Sequence, residues 1–231
     1  MKQLNTRAII LTRTDYGEAD RILTMLTPEY GKLRVLARGV RKVKSKLAGG
    51  IELFSVSEIS FIKGRGEIDT LVSTRLVKHY GHIVEDLDRT MAAYELIKQL
   101  NRITEDEAEA DYFTLLHQAF TALDDHEILL PLVQVWFTAQ LLRLGGFTPN
   151  LQTDSNGEKL QPGESYDFSF EQVCFDASSG QGRFTADHIK LLRLLFAGHQ
   201  PKALAVVQGI ETLLPAVFPL VTTMRQTYLQ V

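Results

Sequence analysis

Apolar residues recur at every second position through roughly the first 76 residues, and at every third or fourth position from Tyr80 onward. A period of two turns one face of a strand inward; a period near 3.6 does the same for a helix. The chain is therefore predicted to be α+β, with strands over residues 1–79 and helices over 80–231.

Five strand patterns fill the first part. Thr6 to Arg13 is β-branched and apolar, and Asp15-Tyr16-Gly17 breaks it. Arg21 to Thr27 follows, closed by the turn Pro28-Glu29-Tyr30-Gly31. Lys32 to Arg38 alternates cleanly, with Leu33, Val35 and Ala37 on one face and Lys32, Arg34, Leu36 and Arg38 on the other. Glu52 to Lys63 reads as a long strand, and Glu67 to Leu76 returns from it. Between these two, Gly64-Arg65-Gly66 reads as a hairpin connection in which glycine supplies a positive φ. Five short strands interrupted after the third suggest a closed barrel of the oligonucleotide-binding (OB) type, which takes single strands across one face and its loops.

The second part is predicted as a helical bundle. Met91 to Leu100 and Asp111 to Leu123 are amphipathic, the latter with Phe113, Leu116, Ala119, Phe120 and Leu123 on one stripe. Acids at Glu105, Asp106, Glu107, Glu109 and Asp111 precede that second helix and suit its positive end. Leu130 to Leu144 carries the only tryptophan, Trp136, and is apolar nearly all round, which marks it as the central helix; Gly145-Gly146 ends it. Residues 147–183 are rich in Gly, Ser, Asn and Asp and read as an irregular β-rich insertion, with strand-like pieces at Ser165 to Phe170 and Gln172 to Phe175. Thr185 is placed to cap a helix running to Phe196. A last helix spans about Gly209 to Gln230, bent or split by Pro215 and Pro219.

Charge is distributed unevenly. Residues 1–80 hold 15 Lys and Arg against 8 Asp and Glu, a net +7, whereas residues 81–231 hold 10 against 20, a net −10. The cations concentrate further. Arg34, Arg38, Arg41, Lys42, Lys44 and Lys46 fall within thirteen residues that contain no acid. Such a strip on a protein of net charge −3 points to a polyanion, and nucleic acid is the first candidate. Arg34 and Arg38 would project from the third strand, and the other four from a flexible loop after it. Aromatic platforms for bases could come from Tyr16, Tyr30, Phe54 and Phe61. Phe54 and Phe61 are an odd number of positions apart, so one regular strand cannot turn both to the same side.

Signatures of other chemistry are missing. The sequence has no phosphate loop of the Walker type, no serine elbow, no His-Glu-x-x-His and no cofactor loop, so no catalytic residue is assigned and the chain is read as a non-enzyme. His79, His82 and Glu85 have a spacing that could touch a metal, but they are read as surface or hinge residues. The lone cysteine, Cys174, excludes an intrachain disulfide and is read as a small buried hydrophobe, consistent with a reducing, cytoplasmic setting. Met1 to Ile10 lacks a secretory pattern. The longest apolar candidate, Ile128 to Leu144, is interrupted by Pro131, Gln134, Gln140 and Arg143, so no membrane span is expected.

The order of motifs adds to this. Tyr16-Gly17-Glu18-Ala19-Asp20-Arg21-Ile22, Thr27-Pro28-Glu29-Tyr30-Gly31-Lys32-Leu33, Ala37-Arg38-Gly39-Val40-Arg41-Lys42 and Lys44-Ser45-Lys46, followed by Gly50, Glu52 and Phe54, resemble the bacterial RecO family of recombination mediators. Gly64-Arg65-Gly66, Thr70-Leu71 and Leu141 to Pro149 continue the likeness. The resemblance implies an OB barrel followed by a helical domain. It implies binding of single- and double-stranded DNA, annealing of complementary strands, and help in loading RecA on DNA coated by single-stranded DNA-binding protein (SSB). RecR and the acidic C-terminal tail of SSB are the implied partners, in a bacterial cytoplasm and at the nucleoid. The family's DNA-contacting cations carry over to Arg34, Arg38, Arg41, Lys42, Lys44 and Lys46. Arg143 and Arg193, on apolar helices, are candidates for the SSB tail. One departure stands out: many members hold zinc with four cysteines in the insertion, whereas here Thr153 and Asn156 stand at the first pair and only Cys174 remains near the second. A structural zinc site needs four ligands, so no metal or other cofactor is expected. Packing by Phe168, Phe170, Val173 and Phe175 would hold the insertion instead. A reading from a different class is an adaptor whose barrel binds an acidic protein.

Overall fold

The computed structural model describes residues 2–104 and 110–230. It is α+β, with five strands, then helices, then a small second sheet among helices. The acids at 105–109 lie outside the described residues. Two compact units divide the chain, Met1–His126 and Glu127–Val231.

In the first unit, β1 (Gln3–Tyr16), β2 (Asp20–Thr27), β3 (Gly31–Ala37), β4 (Ser55–Ile62) and β5 (Asp69–His79) close into a barrel in the order β1-β2-β3-β5-β4. Closure depends on β1, which is long enough to serve two partners. Residues 3–9 pair with β4, residues 9–16 pair with β2, and an irregularity between Ile10 and Thr12 bends the strand between them. β3 meets β5 in parallel at only Val35–Asp69 and Leu36–Thr70. Ala8, Ile10, Leu23, Met25, Val35, Ala37, Ile59, Phe61 and Leu71 fill the interior.

Two expectations for β4 are corrected. The strand starts at Ser55 rather than Glu52, because Phe54 takes φ +53°, a left-handed conformation that ends extended backbone. The connection to β5 spans residues 63–68, and neither Gly64 nor Gly66 has a positive φ. Gly64 is needed for a different reason: a Cβ there would meet the carbonyl oxygen of Ile68.

The helices α1 (Leu87–Ile103) and α2 (Ala110–Leu123) belong to the barrel's compact unit, which runs past the last strand to His126. The reason is the outer barrel wall. Ile9, Leu11, Leu26 and Val56 are buried yet stand outside the interior cluster, and α1 and α2 pack on β1 and β2. Phe54 turns away from the interior for the same purpose. Its ring meets Tyr94 at 5.1 Å and Phe120 at 5.7 Å. Asp86 caps α1 by accepting the Arg89 N–H. Arg89, 6% exposed, then donates to the carbonyls of Leu123, Asp125 and His126 at the end of α2.

In the second unit, α3 (Leu130–Leu144) is buried over most of its surface and packs on α4 (Ala186–Phe196) and α6 (Ile210–Tyr228), with the short α5 (Pro201–Leu204) between the last two in sequence. Trp136 Nε1 donates to the His199 carbonyl at 2.7 Å. Pro215 and Pro219 do not split α6; four residues apart, they share its exposed side. The insertion forms a three-stranded sheet in the order β7-β6-β8, from β6 (Ser165–Ser169), β7 (Cys174–Ala177) and β8 (Phe184–Thr185). Phe168 meets Phe170 and Phe175 at 5.0 Å each, and Phe175 meets Phe184 at 5.3 Å. Val173 has a different task from packing, turning the chain into β7 at φ +54°.

Candidate nucleic-acid interface

The basic segment leaves β3 at Arg38 and is held at both ends. At its start, the Gly39 N–H donates to Asp20 Oδ1 at 2.6 Å, and the Arg41 N–H donates to the Ala19 carbonyl at 2.9 Å. Both acceptors lie on the β1–β2 turn. Between the ends, Lys42 and Ser45 close consecutive turns on Gly39 and Lys42. At its far end, Thr74 of β5 donates to the Leu47 carbonyl at 3.1 Å, and Gly50 approaches Thr74 too closely for any side chain. Val40 and Ile51 are buried in the barrel interior, with Leu47 and Ala48 packed against it. The segment expected to be a flexible loop is thus a turn-rich cover over one end of the barrel. Val40, Leu47, Ala48 and Ile51 face in, whereas Val43 is fully exposed among Arg38, Arg41, Lys42, Lys44 and Lys46, which face out.

All six predicted cations are exposed, and the structure divides them by partner. Arg34 Nη1 stands 3.5 Å from Glu67, and Arg41 Nε stands 3.5 Å from Asp15 Oδ2. Arg38, Lys42, Lys44 and Lys46 make no ion pair among the described residues. Lys32, read as a neighbour of Arg34 on the open face, points to a different job. Its Nζ donates to the carbonyls of Asn101 and Thr104 at 3.1 and 2.6 Å, closing the C-terminus of α1.

Sequence reasoning missed an acidic centre beside this surface. Asp15 and Arg21 are cross-strand partners, and Arg21 Nε donates to Asp15 Oδ1 at 2.8 Å. The hydrogen bond from Arg21 holds the Asp15 carboxyl below the usual carboxylate range, with the charges of Arg41, Arg21 and Arg13 adding to it. Arg13 itself bonds Glu52 at 2.9 Å. The signal available in sequence was the pairing of Asp15 and Arg21 across the Gly17 turn.

Of the four aromatic candidates, three are used internally. Phe61 is fully buried, Tyr30 packs on it edge-on at 5.4 Å, and Phe54 faces the helices. Tyr16 alone is open, 56% exposed on the β1–β2 turn that anchors the basic segment.

The second unit separates the two arginines proposed for partner contact. Arg193 Nε and Nη2 both donate to the Leu151 carbonyl, at 2.8 and 2.6 Å, so this cation organises the start of the insertion. Arg143 is exposed and donates to Gln140 Oε1 at 2.8 Å. Where zinc ligands would stand, a hydrogen-bonded turn stands instead. Asp154 accepts from the N–H groups of Asn156 and Glu158, the Ser155 N–H donates to Asp176, and Thr153 Oγ1 accepts from Asn150. Ser155's hydrogen bonds lower the Asp176 carboxyl, and burial raises the Cys174 thiol. Among the described residues, no group of three His, Cys, Asp or Glu side chains gathers as a metal site, His79, His82 and Glu85 included, and no helix is long and apolar enough to cross a membrane.

Comparison with known proteins accords with this architecture. The family model described as Recombination protein O N terminal matches residues 1–80, and the one described as Recombination protein O C terminal matches residues 84–223. The chain is 34% identical over 197 residues to the DNA repair protein RecO of Dehalococcoides mccartyi, covering 82% of this chain and 77% of that protein. It is 32% identical over 164 residues to the protein of the same name from Desulfitobacterium hafniense, and 36% identical over 130 residues to that of Myxococcus xanthus. These two matches span 59% and 52% of the relatives' lengths. With both family models together covering nearly all of it, the chain belongs to the RecO family.

Proposed function

We propose that this protein is a non-enzymatic DNA-binding mediator of recombinational repair, with an OB-type barrel as its DNA-binding element. The observation that carries the reading is the row of outward-facing cations, Arg38, Lys42, Lys44 and Lys46, that no carboxylate neutralises among the described residues. Arg34 and Arg41 extend the row with weak, exposed pairs that a phosphate can displace. Phosphates need point charges at reach and no fixed geometry, so such a row suits single and double strands alike. Two strands bound near one surface have their repulsion screened and can pair, which is the physical content of annealing. Tyr16 gives the site one stacking platform.

Loading of RecA on SSB-coated DNA, and contact with RecR and the SSB tail, are the further parts of this reading. An acidic peptide with an aromatic end needs an apolar groove beside a cation. In the second unit, Phe168, Phe170, Phe184, Pro219 and Leu220 wall a groove of about 310 Å³ that Arg183 and Asp167 also line; the apolar wall and the Arg183 cation favour such a peptide, and the Asp167 carboxylate opposes it. Arg143 has its charge available for such a contact; Arg193 is committed to Leu151.

The test is binding of a labelled single-stranded oligonucleotide at several salt concentrations. The combined charge reversals Arg38→Glu, Arg41→Glu and Lys44→Glu are expected to weaken binding at least tenfold and to flatten its salt dependence, since each lost phosphate contact removes a slope of about 0.7. Unchanged binding would remove this surface from the model. Binding of an acidic protein but no DNA would favour the adaptor.

A further inference from the structure

The β1–β2 turn brings a carboxylate and two guanidinium groups together at the edge of the basic row. Asp15 ends β1, Arg21 stands opposite it on β2, and Arg41 reaches in from the segment after β3. Each Asp15 oxygen has its own arginine, Oδ1 the Nε of Arg21 at 2.8 Å and Oδ2 the Nε of Arg41 at 3.5 Å. The side chains are 53%, 31% and 38% exposed, so the cluster is open to solvent and to a ligand. The Gly39 N–H donates to the Asp20 carboxylate and the Arg41 N–H to the Ala19 carbonyl, and these bonds hold the two arms of the cluster together independently of Asp15.

Two guanidinium groups facing one dioxygen anion are the arrangement that recognises a phosphate, because each fork offers parallel N–H donors. Asp15 supplies the same two oxygens and the same single negative charge as a phosphodiester. We propose that Arg21 and Arg41 form a phosphate subsite for a DNA strand, and that Asp15 fills it as a phosphate mimic until DNA displaces the carboxylate. Arg21 thereby joins the interface, and Asp15 sets its affinity. The inference rests on the DNA-binding reading above. Its consequence is a weaker grip than the cations alone would give, which suits a protein that must release strands after they pair.

The experiment measures oligonucleotide affinity against salt for the whole chain and for Asp15→Asn. The variant is expected to bind roughly threefold to tenfold tighter with its salt slope unchanged, since the same phosphate is contacted in both and only the cost of displacing the carboxylate is lost. Glu18→Gln, on the same turn and outside any ion pair among the described residues, removes an equal charge and is expected to give a smaller gain. In backgrounds carrying Arg21→Ala or Arg41→Ala, the gain from Asp15→Asn is expected to shrink toward that of Glu18→Gln. A gain in the parent that matches that of Glu18→Gln, or one that is undiminished by loss of either arginine, overturns the mimic while leaving DNA binding intact. Absence of binding by both the parent and Asp15→Asn overturns the DNA reading and this inference together. Asp15→Ser repeats the comparison should the amide disturb the turn, with circular dichroism reporting the fold.

Discussion

At the scale of single residues, charge in this chain serves two unrelated purposes. Arg38 and Lys44 keep their cations in solvent, whereas Lys32, Arg89 and Arg193 spend theirs on backbone carbonyls at the ends of segments. Arg89 is the strongest case, since it is buried and bridges three carbonyls at the end of α2. Methionine has a similar reach but no donors, so Arg89→Met takes this donor from all three, of which the Leu123 oxygen is buried. We expect a loss of about 2–4 kcal/mol in unfolding free energy, with Arg89→Lys recovering only part, because one ammonium cannot span the three acceptors. Urea titration followed by far-ultraviolet circular dichroism measures this. A change under 1 kcal/mol in Arg89→Met would show that water replaces the guanidinium.

At the scale of elements, the insertion tests whether packing can stand in for a metal. Its sheet has one aromatic chain, Phe170, Phe168, Phe175 and Phe184, with Phe175 fully buried at the centre. Removing that ring leaves a cavity which a three-stranded sheet has little means to close. Phe175→Ala should cost about 3–5 kcal/mol in unfolding followed by Trp136 fluorescence. A chelator should leave the melting temperature unchanged, and elemental analysis should find zinc well below one per chain. Stoichiometric zinc, lost together with stability, would refute this account.

Periodicity and turn residues made most of these elements legible. β3 was readable because Leu33, Val35 and Ala37 alternate with Lys32, Arg34 and Arg38, and α3 because its apolar run is broken only by Gln134, Thr138, Gln140 and Arg143. What sequence could not show was the second side of each element. Ile9 and Leu11 looked like part of a generic strand, but they are buried outside the interior cluster, on the strand that α1 packs against, while α2 packs on β2; the first unit therefore extends to His126. Phe54 looked like strand and is a left-handed turn aimed at the helices. The candidate site followed the same rule. Its cations were visible as a run, while the carboxylate that pairs with Arg41 lies 26 positions earlier and becomes a neighbour only through the β1–β2–β3 meander.

At the scale of the whole molecule, each compact unit holds a histidine that folding makes harder to protonate. His117 lies stacked on Phe113, and its pKa is lowered from 6.5 by burial, then by the charges of Lys78 and Arg7. His188 accepts the Thr185 N–H on Nδ1 at 3.0 Å, completing the cap of α4, and burial lowers its pKa from 6.5 against the opposing pull of Asp187. In both cases the unfolded chain binds more protons than the folded one in the window just below 6.5. Unfolding free energy therefore rises with pH there: the contribution is complete above 6.5 and is lost as pH falls through that value toward the lower folded pKa. The carboxyls of Asp86, Asp176 and Asp187, lowered from 3.8, act in the same direction but in a separate and more acid window. Stability should thus be flat from pH 8 to 7, fall as pH drops below 6.5, and fall again below about 4. Trp136, the only tryptophan, reports the unit that contains His188. His188→Gln, whose side-chain oxygen can still accept the Thr185 N–H, should reduce the loss between pH 7.5 and 5.5 seen by Trp136 fluorescence. Adding His117→Gln should remove the loss in the circular dichroism signal as well. A wild-type chain equally stable at pH 7.5 and 5.5, or a loss that persists in the double variant, would assign acid sensitivity to other groups.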